Sequence, residues 1–256
     1  MKRLLLILSL ITLSLPTFAW GPKGHDVVAY VAECHLSKRA AAQLDELLGG
    51  YSPVYWANWL DNASNTPQYR YTKTWHYMNI DEGKDIETME REPKGDLLTA
   101  LEGIIAGLKS HKLSRENESL YVKMLIHLIG DLHCPMHAGR KTDLGGNRIK
   151  VRYFGKESKL HSVWDSSIVE SAHRWGYSEW QQQCDRLSKE EAERVCQGSI
   201  TDWFRETVEI CRDVYASSPE GSNLSYDYVA KYSPVVEQQL VRGGHRLAAI
   251  LNEIYK

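Results

Sequence analysis

His127 and Asp131 stand four residues apart in the string HLIGDLHCPMH. In a helix that spacing stacks both side chains on one face. His161 and Asp165 repeat it in LHSVWD. His137 follows Pro135, which breaks the helical run and lets the imidazole turn into the same space. Two His-x-x-x-Asp pairs on facing helices supply four ligands to a bundle interior. Imidazole and carboxylate are the ligand types of catalytic transition-metal sites, so His127, Asp131, His137, His161 and Asp165 form a candidate metal group. Asp61 in YWANWLD and His76 in TWHYMNI are further candidates, although alone they read as a turn aspartate and a packed histidine. His35, His111, His133, His173 and His245 lack such company in the sequence and are expected to be surface, core or supporting residues. His133 should point away from the face of Asp131.

The start of the chain adds another kind of ligand. Lys2 and Arg3, the apolar run Leu4 to Leu15 and the small residue Ala19 have the order of a secretory signal peptide. The apolar run is too short to span ~30 Å of hydrocarbon, so no membrane anchor is expected. Cleavage after residue 19 leaves a mature chain of residues 20–256 that begins WGPKGH. The new α-amine of Trp20, its carbonyl oxygen and the imidazole of His25 could together hold one metal ion.

Helices must position these groups. Val27, Val28, Val31 and Ala32 make one apolar stripe, and Ala41, Leu44, Leu47 and Leu48 make another. Ser37 is a good N-cap between them, and Gly49-Gly50 ends the second. Leu97 to Leu108 and Leu120 to Ile129 repeat at helical spacing, and apolar positions from Trp203 to Leu251 predict two more helices. Only residues 148–154 alternate as a strand, and Gly155-Lys156 offers the turn of a short β-hairpin. No repeat, linker or low-complexity tract interrupts the pattern. The expectation is an all-α single domain with one short hairpin.

Charge excludes one class of function. The chain carries 31 Lys and Arg against 33 Asp and Glu, a net charge of −2, and loss of Lys2 and Arg3 makes it −4. That gives no support to a nucleic-acid binder that works through a basic face. Cys34, Cys134, Cys184, Cys196 and Cys211 are an odd set, so at least one thiol should stay free. Export makes pairing plausible, and Cys184 with Cys196 is the expected disulfide because the two bracket a short charged segment.

The ordered motifs WGPKGH, WLD, WHY, HLIGDLHCPMH, DLGGN and LHSVWD resemble the type I zinc-dependent nucleases, the single-strand-specific nuclease and 3′-nucleotidase family. The resemblance runs from Trp20 to Asp165, and the remaining third matches only as helix. It implies a helical fold, of the kind shared with zinc phospholipase C, around three Zn2+ ions. Asp61, His76, His127 and Asp131 would hold one. Trp20, His25 and Asp131 would hold a second, and His137, His161 and Asp165 the third. Asp131 would bridge two ions, and the centre would carry about +3, a local source of phosphate affinity in an acidic chain. The implied reaction is hydrolysis of single-stranded DNA and RNA, and of 3′-phosphomonoesters, by metal-activated water, leaving 5′-phosphates. Asp61 is the candidate general base. Tyr77 stands where the family stacks a base, Asn79 where many relatives carry an aspartate, and Asn147 where it could donate to phosphate or orient a ligand. The product of the short leader and compact chain would be a periplasmic or secreted monomer, of bacterial type.

Zinc phospholipase C is the nearest rival. Its last ligand pair uses glutamate where this chain has Asp165, and its first histidine lies farther from the tryptophan than His25 does from Trp20. A zinc-scavenging or purely structural exported protein is a rival of another class, at odds with a carboxylate shared between ions.

Overall fold

The computed structural model describes residues 20–256. The expected leader, residues 1–19, lies outside them.

Helix α1 (Pro22–Cys34) opens with proline at its first position, where the missing N–H costs nothing. Helix α2 (Lys38–Leu47) is capped by Ser37, whose hydroxyl accepts from the Ala40 amide at 3.1 Å. Gly49 and Gly50 then take φ of +70° and +78° and turn the chain. Two short helices, α3 (Pro53–Trp56) and α4 (Trp59–Ala63), lead to a 3-10 turn over Arg70–His76. Asp96 caps α5 (Leu97–Lys109), and Ser114 caps α6 (Arg115–Leu132).

Helix α6 is the axis of the molecule. Its last eight residues, from Leu125 to Leu132, are buried without exception, so the apolar stripe of its first half becomes a fully enclosed rod. A helix covered on all sides belongs at the centre of a core. Helix α5 packs on one side of it, and α1 and the long C-terminal α12 (Tyr226–Ile254) on others. The two apolar runs expected near the C-terminus are α11 (Ile200–Ser217) and α12.

The expected hairpin is β1 (Lys150–Tyr153) paired antiparallel with β2 (Lys156–Lys159). A third strand, β3 (Asn223–Leu224), adds to it in parallel through Arg152 and Tyr153. Two residues carry no alternation that could announce a strand. Strand β2 runs directly into α7 (Leu160–Ser162), a π-helical turn over Val163–Ser167, and α8 (Ile168–Ala172). Helices α9 (Tyr177–Cys184) and α10 (Lys189–Val195) complete a mostly helical domain.

The expected Cys184–Cys196 disulfide is not present: both thiols are free, as are the other three. Cys184 sits within reach of His173 and Glu237, whereas the thiol of Cys196 feels the charge of Arg246. The two sulfurs serve different neighbourhoods.

Candidate metal centre

Four segments converge on the buried end of α6. Helix α1 brings His25, α4 brings Asp61, the 3-10 turn after it brings His76, and α6 itself brings His127 and Asp131. Asp131 is the node. Its Oδ2 lies 3.0 Å from His76 Nδ1 and 3.3 Å from His127 Nε2. Its Oδ1 lies 3.4 Å from His25 Nε2 and 3.8 Å from His137 Nδ1. Asp61 Oδ1 closes the group at 3.4 Å from His127 Nε2 and 3.7 Å from His76 Nδ1. The rings of His25 and His127 stack with centroids 4.0 Å apart.

A second set stands beside this one. His161 Nε2 lies 3.0 Å from Asp165 Oδ2, and His137 Nε2 lies 3.9 Å from Asp165 Oδ1. Asp165 falls within the π-helical turn, the kind of bulge that re-aims side chains at functional sites. Pro135 ends α6 and starts the 3-10 turn Pro135–Ala138 that carries His137. Thus all five residues of the spacing-based group, together with His25, Asp61 and His76, enter one buried region. Trp20 is buried too, and the Gly21 amide donates to the Asp165 carbonyl, which sets Trp20 and Gly21 against the second set.

Backbone carbonyls orient the rings. His127 Nδ1 donates to the Ala57 carbonyl at 2.7 Å, and His161 Nδ1 to that of Gly145 at 2.6 Å. His137 Nδ1 donates to the His76 carbonyl. Each bond leaves Nε2 of that ring facing the carboxylates, an outer support typical of metal-binding imidazoles.

Several polar atoms of these side chains are short of partners. Both ring nitrogens of His25, Nε2 of His76, Nε2 of His137 and Oδ1 of Asp131 are buried without a hydrogen bond. Such orphans cost about 1–3 kcal/mol each unless something else satisfies them. His25, His127 and Asp131 offer donor atoms within 4.8 Å of one another, as do Asp61, His76 and His127. This donor set fits divalent cations.

In the ion-free cluster the buried imidazoles and carboxylates shift one another. Burial lowers His25 and His137, which keeps them as neutral ligands. Burial opposes charge on Asp131, but His127 and His137 outweigh it and hold the carboxyl well below the usual carboxylate range. Burial also opposes a charged His127, and Asp131 with Asp61 lifts it well above the imidazole range. Asp61 is held low by His127 against burial, and Asp165 is pushed up by burial against His161.

The remaining expected residues divide. Tyr77 directly follows His76 and is 37% exposed. Asn79 donates to the Gly139 carbonyl at 2.7 Å, and Asn147 to that of Leu144 at 2.9 Å. Asn147 Oδ1 is left buried without a partner.

The sequence reasoning passed over Cys134. Its thiol lies 3.6 Å from Asp165 Oδ1 and forms a third compact donor group with His137 and Asp165. Burial and Asp165 push its pKa well up, so it acts as an S–H donor to the carboxylate. Its place between His133 and Pro135 was the available signal. His133 does turn away, bonding Ile129 through Nδ1 and Arg246 through Nε2, and burial drives its pKa down to about 3. His35, His173 and His245, expected to lack company, each have a carboxylate partner.

Residues 20–256 match the family model described as S1/P1 Nuclease. Nuclease S1 of Aspergillus oryzae (strain ATCC 42149 / RIB 40) is 27% identical over 98% of this chain and 97% of its own length. Endonuclease 2 of Arabidopsis thaliana is 27% identical over 92% of this chain and 90% of its own. Nuclease P1 of Penicillium citrinum is 25% identical over 92% and 98% respectively.

Proposed function

The chain belongs to the S1/P1 nuclease family, and on that premise we propose that it is an exported, zinc-dependent endonuclease of single-stranded DNA and RNA that also acts on 3′-phosphomonoesters of nucleotides. Phosphodiester hydrolysis comes with the family. The observation that carries the metal reading is the cluster of orphaned, buried donor atoms around Asp131. His25 Nε2 stands unpaired beside a carboxylate that four histidines surround, and His137 Nε2 stands unpaired beside Asp165, which is hard to account for as packing.

Three Zn2+ ions would be held as follows. Asp61, His76, His127 and Asp131 take one. The amine and carbonyl of a mature Trp20 terminus, His25 and Asp131 take the second, and His137, His161 and Asp165 take the third. When bound, these ions supply the Lewis-acid charge that lowers the pKa of water and neutralises phosphoryl oxygens. The chain does the rest. Asp61, kept ionised by His127, can accept a proton from an attacking water. Asp131 holds its neighbouring imidazoles in one geometry. Tyr77, partly exposed and next to His76 in the chain, offers a face on which an unpaired base can stack. Stacking favours single strands and tolerates every base. Asn147 Oδ1, buried without a partner, can orient a polar group.

Export rests on the leader-like residues 1–19, and no described helix is long and apolar enough to cross a membrane. A monomer that works in the periplasm or outside the cell, with 5′-phosphate products, completes the reading.

The test is an assay of the purified mature chain on single-stranded DNA, RNA, 3′-AMP and phosphatidylcholine, each with and without chelator. Chelator-sensitive cleavage of the nucleic acids, with 5′-phosphate ends, is expected. Activity on the lipid alone would transfer the assignment to a phospholipase C.

A further inference from the structure

His35, Asp185 and His245 meet far from the centre described above. His35 caps the C-terminal end of α1, Asp185 caps that of α9, and His245 lies inside α12. His35 Nε2 is 2.7 Å from Asp185 Oδ2, and His245 Nε2 is 2.7 Å from Asp185 Oδ1. The two rings lie against each other with centroids 4.0 Å apart. All three donor atoms fall within 4.8 Å of one another. Gln181 donates to Asp185 Oδ2 at 3.0 Å.

We infer that this trio is an additional divalent-cation site, of the kind that takes Zn2+, fastening α1, α9 and α12 together. The donor set is two imidazoles and one carboxylate, which suits zinc or another first-row metal and does not suit calcium or magnesium. Both imidazoles present the same nitrogen, Nε2, to the one carboxylate of Asp185, as a pair of ligands to a common ion would. Asp185 offers both oxygens to the trio, Oδ1 toward His245 and Oδ2 toward His35, and Gln181 gives Oδ2 an outer hydrogen bond. The Asp185 side chain is only 4% exposed and the His245 side chain 5%, so a cation would be held by groups already withdrawn from water. The His35 side chain is 38% exposed and supplies the way in and a solvent-facing coordination position. A charge such as Asp185, withdrawn from water, needs a cationic partner, and a shared ion serves both rings and the carboxylate at once.

The site is separate from the catalytic centre. His25 and His35 lie on α1 ten residues apart, or about 15 Å along a helix. No residue of the trio belongs to the hydrolytic machinery. Its role is mechanical: it fixes the far end of the helix whose near end presents His25.

The experiment compares the mature chain with Asp185→Asn and His35→Gln. Each protein is dialysed against the same zinc chloride solution, and bound zinc per chain is counted by mass spectrometry. Both substitutions roughly keep side-chain volume, and His35 is exposed, so His35→Gln folds even if Asp185→Asn does not. Nuclease activity within about twofold of the unmodified chain confirms that the catalytic ions remain. The expected result is one zinc fewer per chain in each folded variant, whatever number the unmodified chain holds. Equal zinc content in the unmodified chain and the folded variants overturns the proposal and leaves the trio a hydrogen-bonded clasp. Because the readout is a difference, it is independent of the number of catalytic ions.

Discussion

Gly130 lies against the imidazole of His25. A Cβ built on Gly130 would stand 2.5 Å from His25 Nδ1 and 2.9 Å from Cε1. The glycine between His127 and Asp131 therefore has a purpose that helical propensity alone opposes: it lets a ring from α1 press onto α6 beside those two side chains. Gly130→Ala should push the ring away from Asp131 and weaken zinc binding about 10- to 100-fold, the usual scale for disturbed ligand support. Activity measured against free zinc concentration should show the loss, with recovery at high zinc. An unchanged zinc dependence would remove His25 from the ligand set.

Asp131→Asn tests the shared carboxylate. The change keeps the shape and removes the charge that touches four histidines. The expectation is loss of two zinc ions per chain, retention of the His137–His161–Asp165 ion, and a fall in kcat of at least about 10³-fold, since metal ions contribute several kcal/mol to such reactions. Zinc analysis and single-strand cleavage rates check it together. Retention of all three ions would show that the carboxylate does not bridge.

The chain end is tested by length alone. A protein that keeps Ala19 ahead of Trp20 has the same side chains but moves the α-amine by one residue. It should bind one zinc fewer and cleave more slowly than a chain that begins at Trp20. Equal zinc content and equal rate would dismiss the terminal amine as a ligand.

Asp26 sets a pH dependence of stability. Burial raises its pKa to about 6 from 3.8, against the opposing hydrogen bond from Asn58 at 2.7 Å. Below the lower value both folded and unfolded chains are protonated there, and the residue costs nothing. Between the two values the unfolded chain ionises first, so stability falls as pH rises, and the loss is complete above about pH 6. Asp26→Asn should therefore be more stable than the unmodified chain at pH 7.5. Because the group is partly solvated, the gain is about 1 kcal/mol rather than the full linkage value. Denaturant titrations in zinc at pH 7.5 and pH 4.5 should show the gap shrinking at the lower pH. A gap independent of pH would contradict the assignment.

These sites differ in how much of them could be read in the chain. His127 with Asp131, and His161 with Asp165, were legible because helical spacing is local and both pairs kept it. The π-helical turn did not spoil the second pair, since His161 and Asp165 still meet at 3.0 Å. Asp61 and His76 were legible only through the order of the motifs, because nothing local marks α4 or the turn that carries His76. Cys134 was overlooked because a thiol inside an apolar run reads as packing. The His35–Asp185–His245 trio was invisible for a different reason. Its members are 150 and 60 residues apart, and only the docking of three helices unites them. The same holds for β3, whose two residues become a strand only because β1 has a free edge.

Diffraction from crystals of the zinc-loaded chain beginning at Trp20, recorded at the zinc absorption edge, addresses the central claim directly. The account predicts three anomalous peaks in the buried cluster: one among Asp61, His76, His127 and Asp131, one between His25, Asp131 and the Trp20 amine, and one among His137, His161 and Asp165. Fewer than three peaks there, or peaks that none of these imidazoles touches, would contradict it.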